Sequence, residues 1–113
     1  MSCEHCEHCQ HGTWAYASGI LDFVCRELGA KRSEVLSASR ANSVVMPRWI
    51  AAYLVRDLTS LSFPAIGSLL EHHYSTIIVG TQQIAQRMAA APAFAMRIEE
   101  MRAKLRGEKR AAA

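Results

Sequence analysis

Apolar residues recur at three- and four-residue steps in segment after segment of this chain, the spacing that gathers side chains on one face of a helix. Ala17, Ile20, Leu21, Val24 and Leu28 form the first such set, with Thr13 placed to cap a helix and Gly29 to end it. Trp14 and Tyr16 fall at its start, on the edge of a core, and Cys25 reads as a small buried hydrophobe. Ser33 then starts a short helix over Glu34 to Ser37, anchored by Val35 and Leu36. A small-residue loop, Ser37-Ala38-Ser39-Arg40-Ala41-Asn42-Ser43, leads to Pro47, which fits the first turn of the next helix. There Met46, Ile50, Tyr53, Leu54, Leu58 and Leu61 repeat at helical steps, predicting the central helix, with Trp49 following Ile50 into the core or covering its rim.

The stretch from Leu61 to Gln83 carries the sharpest pattern. Ser62 is a good N-cap, and Pro64 stands in the first turn, where its missing N–H costs nothing. Ile66, Leu69 and Leu70 give the helix one apolar side. After the polar break Glu71-His72-His73-Tyr74, Ser75 or its neighbour can cap a second helix bearing Ile77, Ile78, Ile84 and Met88. A helix, a tight turn and a longer helix make a helix-turn-helix, whose second helix offers its N-terminal residues to a DNA major groove. Beyond the break at Ala89-Ala90-Ala91-Pro92, Phe94, Ile98, Met101 and Leu105 predict a last amphipathic helix stopped by Gly107. The expectation is an all-α domain of about six helices over residues 13–107, a disordered Cys/His-rich tail over 1–12, and a frayed end over 108–113.

Composition narrows the picture. With 113 residues, half of them apolar, the chain has room for one domain with one core. It has no apolar run long enough to span a membrane, and its start lacks the regions of a signal peptide, so a cytoplasmic protein is expected. The net charge of +3 is mild, but its distribution is uneven. Arg26, Lys31, Arg32, Arg40, Arg48 and Arg56 meet only Glu27 and Glu34, a local excess of four positive charges suited to phosphates. Arg48 and Arg56, eight residues apart, are expected to flank one exposed side of the central helix. From Asp57 to Gln86 there is no Lys or Arg, which weighs against strong base reading by the second helix.

Cys3, Cys6 and Cys9, interleaved with His5, His8 and His11, supply the ligand types of a tetrahedral zinc. Cys3, Cys6, Cys9 and His11 are the ligand candidates. All lie within nine residues, whereas structural zinc usually closes a loop between separated knuckles, so the alternative is a tail that binds metal adventitiously.

The run RANSVVMPRWIAAYLVRDLTSLSFPAIGSLL, followed by YSTIIVGTQQI, resembles the C-terminal DNA-binding domain, domain IV, of the bacterial replication initiator DnaA. The resemblance covers roughly Ala17 to Met88. It is strongest at Pro47-Arg48, Ala51, Tyr53-Leu54, Arg56, Leu58-Thr59, Ser62, Pro64 and Ile66-Gly67, in a single register. It implies an all-helical fold that binds short duplex boxes, with arginines before the central helix reaching backbone and minor groove. Arg40 and Arg48 match such positions, while Asn42 and Met46 stand where arginines are usual. At the recognition helix the family pattern Gly-Gly-Arg-Asp-His-Ser/Thr-Thr-Val meets Glu71-His72-His73-Tyr74-Ser75-Thr76-Ile77, one residue shorter in the turn. Ser75 and Thr76 carry over; His72, His73 and Tyr74 replace the arginine, aspartate and histidine.

Each lost base contact removes about 1 to 3 kcal/mol of discrimination, so altered specificity is expected. The predicted function is a duplex DNA binder that regulates replication or transcription. Lys31, Arg32, Arg40, Arg48 and Arg56 would hold phosphates, His72, His73, Tyr74, Ser75 and Thr76 would enter the groove, and Asn42 is a further DNA-binding candidate. There is no GxxxxGK[ST] phosphate loop, so no nucleotide cofactor is expected. Two alternatives keep the fold: a protein-interaction module without base reading, and a metal-responsive regulator using the tail. An enzyme is disfavoured, because His72, His73, Tyr74 and Ser75 have no carboxylate orienter beyond Glu71.

Overall fold

A computed structural model describes the backbone of residues 7–112 and the side chains of residues 14–41 and 43–107. Among these residues the chain forms six helices and no strand: α1 (Glu7–Leu28), α2 (Arg32–Val35), α3 (Asn42–Leu58), α4 (Phe63–Leu70), α5 (Tyr74–Ala90) and α6 (Pro92–Ala112). The all-α expectation holds. The central helix, α3, lies against α1 on one side and α5 on the other; α4 packs on α5 and α3, and α6 closes over α5 and α1.

The predicted apolar stripes are the core. Ala17, Ile20, Leu21 and Val24 of α1 are sealed from solvent, as are Leu54 and Val55 of α3, Ile66 and Leu70 of α4, and Ile77 of α5. Ile98, Met101 and Leu105 bury the inner face of α6, with Phe94 packed at its start. Cys25 is buried as a reduced thiol, and burial together with the nearby Asp22 carboxylate pushes its pKa up, against a smaller opposing effect of Arg32. Gly29 ends α1 with φ at +68°, the left-handed conformation that glycine adopts without penalty.

Several boundaries differ from the sequence reading, each for a physical reason. α1 begins at Glu7, not at a Thr13 cap, and α6 runs past Gly107 to Ala112. A single glycine costs a helix only about 1 kcal/mol, which flanking turns can absorb. α2 starts at Arg32 with Lys31 as N-cap and no side-chain cap, so Ser33 does not cap it. Arg32 is tied to α1 instead, Nη1 donating to Asp22 Oδ1 at 2.6 Å and Nη2 to Ser18 Oγ at 3.0 Å. α3 begins five residues before Pro47, with Ala41 as extended N-cap and the buried Val44 anchoring the first turn. It ends at Leu58, and the buried Leu61 belongs to the connection. The positions Cys3 and Cys6, and the side chains of Cys9 and His11, lie outside the described residues. Among the described residues no helix is long and apolar enough to cross a membrane.

Candidate nucleic-acid interface

The helix-turn-helix is α4, its turn, and α5. Ser62 caps α4 as expected, its Oγ accepting the Ala65 N–H at 3.3 Å, with Pro64 in the first turn. The turn can fold back because position 67 is glycine: a Cβ there would stand 2.6 Å from the His72 carbonyl oxygen and 3.3 Å from the Tyr74 nitrogen. Glu71 closes α4 in the left-handed conformation, φ 59° and ψ 41°, and the following His72 N–H donates to the Gly67 carbonyl at 2.9 Å. Holding a non-glycine residue there costs about 1 kcal/mol.

His73, not Ser75, caps α5. Its Nδ1 accepts the Ser75 N–H at 3.1 Å and lies 2.8 Å from Ser75 Oγ, and its ring stacks on Tyr74 with centroids 4.5 Å apart. His72 turns the other way: Nδ1 lies 2.7 Å from the Leu70 carbonyl, and the ring meets Trp49 edge-on. A carbonyl only accepts and a backbone amide only donates, so Nδ1 carries a proton in His72 and none in His73. His73 therefore presents an Nε2–H donor. Tyr74, Ser75 and Thr76 are exposed at the head of the helix.

How close α5 sits to α3 is set by Gly80. A Cβ there would lie 2.3 Å from Trp49 Cδ2, so the indole of the central helix lies directly on the backbone of α5. Near the start of α5 lies a cleft of about 440 Å³, lined by Ala38, Arg40, Val45, Arg48, Trp49, His72 and Thr76. The fold therefore gathers Arg40, Arg48, His72 and Thr76 at one place from the loop, α3, the turn and α5. Gly80 was missed in the sequence, where the only signal was a glycine in mid-helix with a tryptophan elsewhere to receive.

The predicted cations separate into two sets. Arg48, expected on an exposed side, is 3% exposed: Nε donates to the Val35 carbonyl at 2.8 Å, and Nη2 to the Ser37 and Ser39 carbonyls at 2.8 and 3.0 Å. Burial lowers its pKa. A guanidinium can satisfy several acceptors of a bent loop at once, and Arg48 does so here. Arg56 is exposed, as expected, while donating to the Leu61 carbonyl at 3.0 Å with its guanidinium 4.2 Å from the Phe63 ring centroid, and Arg32 is held by Asp22. Lys31 and Arg40 are exposed, and no ion pair holds either among the described residues. Asn42 is the first residue of α3; its side chain lies outside the described set.

Residues 17–84 match the family model described as the bacterial dnaA protein helix-turn-helix. The chain is 32% identical over 88 residues to the chromosomal replication initiator protein DnaA of Caldanaerobacter subterraneus subsp. tengcongensis, covering 78% of this chain and 20% of that one. It is 37% identical over 83 residues to the corresponding protein of Geobacter sp. strain M21, covering 73% and 18%. With Symbiobacterium thermophilum the figures are 39% over 71 residues, covering 62% and 16%. The chain thus spans about a fifth of the length of the curated relatives it matches.

Proposed function

The chain belongs to the bacterial DnaA helix-turn-helix family, and from that premise we propose that it is a non-catalytic duplex DNA-binding domain whose base specificity differs from that of the initiators. The observation that carries this reading is the exposed head of α5, with Tyr74, Ser75 and Thr76 standing beside the cleft that Arg40 and His72 line. Docked in the usual way, the first turns of α5 enter the major groove while Arg40 reaches a flanking phosphate or the minor groove. Arg48 acts indirectly, by fixing the carbonyls of the loop that presents Arg40.

Specificity changes because the groove-facing chemistry changes. Where the family pattern places a forked cation and a carboxylate, this chain has two imidazoles, of which His73 is committed to capping α5. With Nδ1 of each ring already engaged, an imidazole offers only Nε2 and cannot make the bidentate pair that reads guanine. The relatives named above are replication initiators, and this domain is suited to occupying DNA as a regulator of replication or transcription. Selection of bound sequences from a random duplex pool tests the reading: one enriched motif, distinct from the initiator box, is expected. A gel shift in which the initiator box competes far better than scrambled duplex would refute the altered specificity.

The Lys- and Arg-free stretch from Asp57 to Gln86 favours a second reading, in which the same surface receives a protein. Failure to bind any duplex at low ionic strength would select it. Zinc at Cys3, Cys6, Cys9 and His11 is a separate proposal, tested by metal analysis of untagged protein and by deletion of residues 1 to 11.

A further inference from the structure

The exposed side of α5 has an unusual composition. At about 100° per residue, Ser75, Thr76, Val79, Gln82, Gln83 and Gln86 fall within roughly 120° of arc, opposite the buried Ile77, Gly80, Thr81 and Ile84. The ridge holds hydroxyls, carboxamides and methyl groups but no charge. Arg87 is the only ionisable residue in α5 beyond Tyr74, and it stands in the last turn with its guanidinium 5.2 Å from the Phe94 ring centroid. At the middle of the ridge Val79 is 51% exposed, an apolar β-branched side chain that the core does not use.

Base pairs differ in what they ask of such a ridge. In the major groove guanine shows two acceptors, met best by arginine or lysine, and cytosine shows a donor, met by a carboxylate. Neither partner is present. Adenine shows a donor beside an acceptor, which one carboxamide matches with both of its atoms, and thymine shows a methyl group, which valine and threonine pack against. We propose that the ridge of Thr76, Val79, Gln82 and Gln83 reads adenine–thymine base pairs, with the glutamines on adenine and Val79 and Thr76 on the thymine methyl. This rests on the duplex-binding reading above and goes beyond it by naming the class of base pair and the residues that choose it.

The test uses the whole chain and three labelled duplex sets with identical flanks: a core of random A/T sequence, a core of random G/C sequence, and the A/T core made with uracil for thymine. The A/T core is expected to bind at least about tenfold more tightly than the G/C core, the discrimination of one bidentate amide–adenine pair. Uracil, which lacks only the C5 methyl, is expected to weaken binding severalfold for the wild type and by a smaller factor for Val79→Ala, in which Thr76 still meets a methyl group. The double substitution Gln82→Ala/Gln83→Ala is expected to abolish the A/T preference by lowering A/T binding to the level of G/C binding, with thermal stability unchanged. These positions are solvent-facing and alanine favours the helix. Equal binding of A/T and G/C cores, or an A/T preference that survives the double substitution, would overturn the inference while duplex binding itself stands. Binding to none of the duplexes at low salt would overturn the duplex-binding reading as well.

Discussion

Arg48 shows how a single residue's role changes between sequence and structure. Arginine in a basic segment suggests a phosphate contact, yet this one spends its donors on the carbonyls of Val35, Ser37 and Ser39. Removing a buried donor leaves its acceptors unsatisfied, so Arg48→Met is expected to destabilise the protein by about 2 to 4 kcal/mol in chemical denaturation. Arg40→Ala, at an exposed position, should leave the same curve within about 0.5 kcal/mol of wild type. Loss of DNA binding in an Arg48 variant is therefore attributable to a disordered loop unless stability is measured alongside. Cys25 makes a second prediction. Its pKa is raised in the folded protein, so the native state holds the thiol proton to higher pH than the unfolded chain does. That contribution is whole below the unfolded thiol value and is lost as pH rises through the folded one. Denaturation midpoints should thus fall above about pH 8.5, and Cys25→Ala should remove this part of the decline.

At the scale of the element, α5 is held by three devices: Gly67 lets the turn approach, His73 caps the first turn, and Gly80 receives Trp49. The last decides how deeply α5 seats on α3. Gly80→Ala would place a methyl group inside van der Waals contact with a ring that is itself packed in the core. The expected cost is about 1 to 3 kcal/mol despite the better helix propensity of alanine, read as a lower thermal midpoint. The same substitution should tilt α5 away from the Arg40 cleft, so binding should fall even at temperatures where the variant is folded. A thermal midpoint equal to or above wild type would show that the indole can move aside. Elsewhere the element boundaries that sequence signals suggested at Thr13, Ser33 and Gly107 yield to tertiary packing or to the low cost of one glycine, whereas the Ser62 cap holds because Ala65 N–H has no better partner.

At the scale of the whole molecule, electrostatics set the binding regime. The net charge is only +3, and among the described residues Arg32 and Arg102 are ion-paired while Arg48 is buried against backbone carbonyls, which reduces the cations free for the backbone of DNA. Arg102, for instance, lies with Nε 2.8 Å from Asp57 Oδ2 and Nη1 on both Glu99 oxygens, and Lys104 pairs with Glu27. With about two to four phosphates neutralised, the slope of log K against log salt should be near −2 to −4, shallow beside strongly basic binders. Arg40→Ala should reduce its magnitude by about 1. A slope unchanged by that substitution would remove Arg40 from the interface. On the duplex-binding reading, modest phosphate affinity would leave a larger share of binding to base contacts along α5.

The hydrophobic period of the chain determined by itself that there would be six helices and which faces they bury, because a 3.6-residue repeat leaves few alternatives for a stripe such as Ile98, Met101 and Leu105. It also placed the helix-turn-helix, since the Ser62 cap, Pro64 and the polar break at Glu71 are local signals. Only the tertiary structure decided which arginines remain for a ligand. Whether a guanidinium faces solvent or a carbonyl depends on how the loop after α2 folds over α3, a contact between segments that no local pattern encodes. The seating of Trp49 on Gly80 and the opposite hydrogen bonds of His72 and His73 were likewise settled by packing. The scaffold was legible in the period of the sequence, and the candidate reading surface in the geometry that the scaffold imposes.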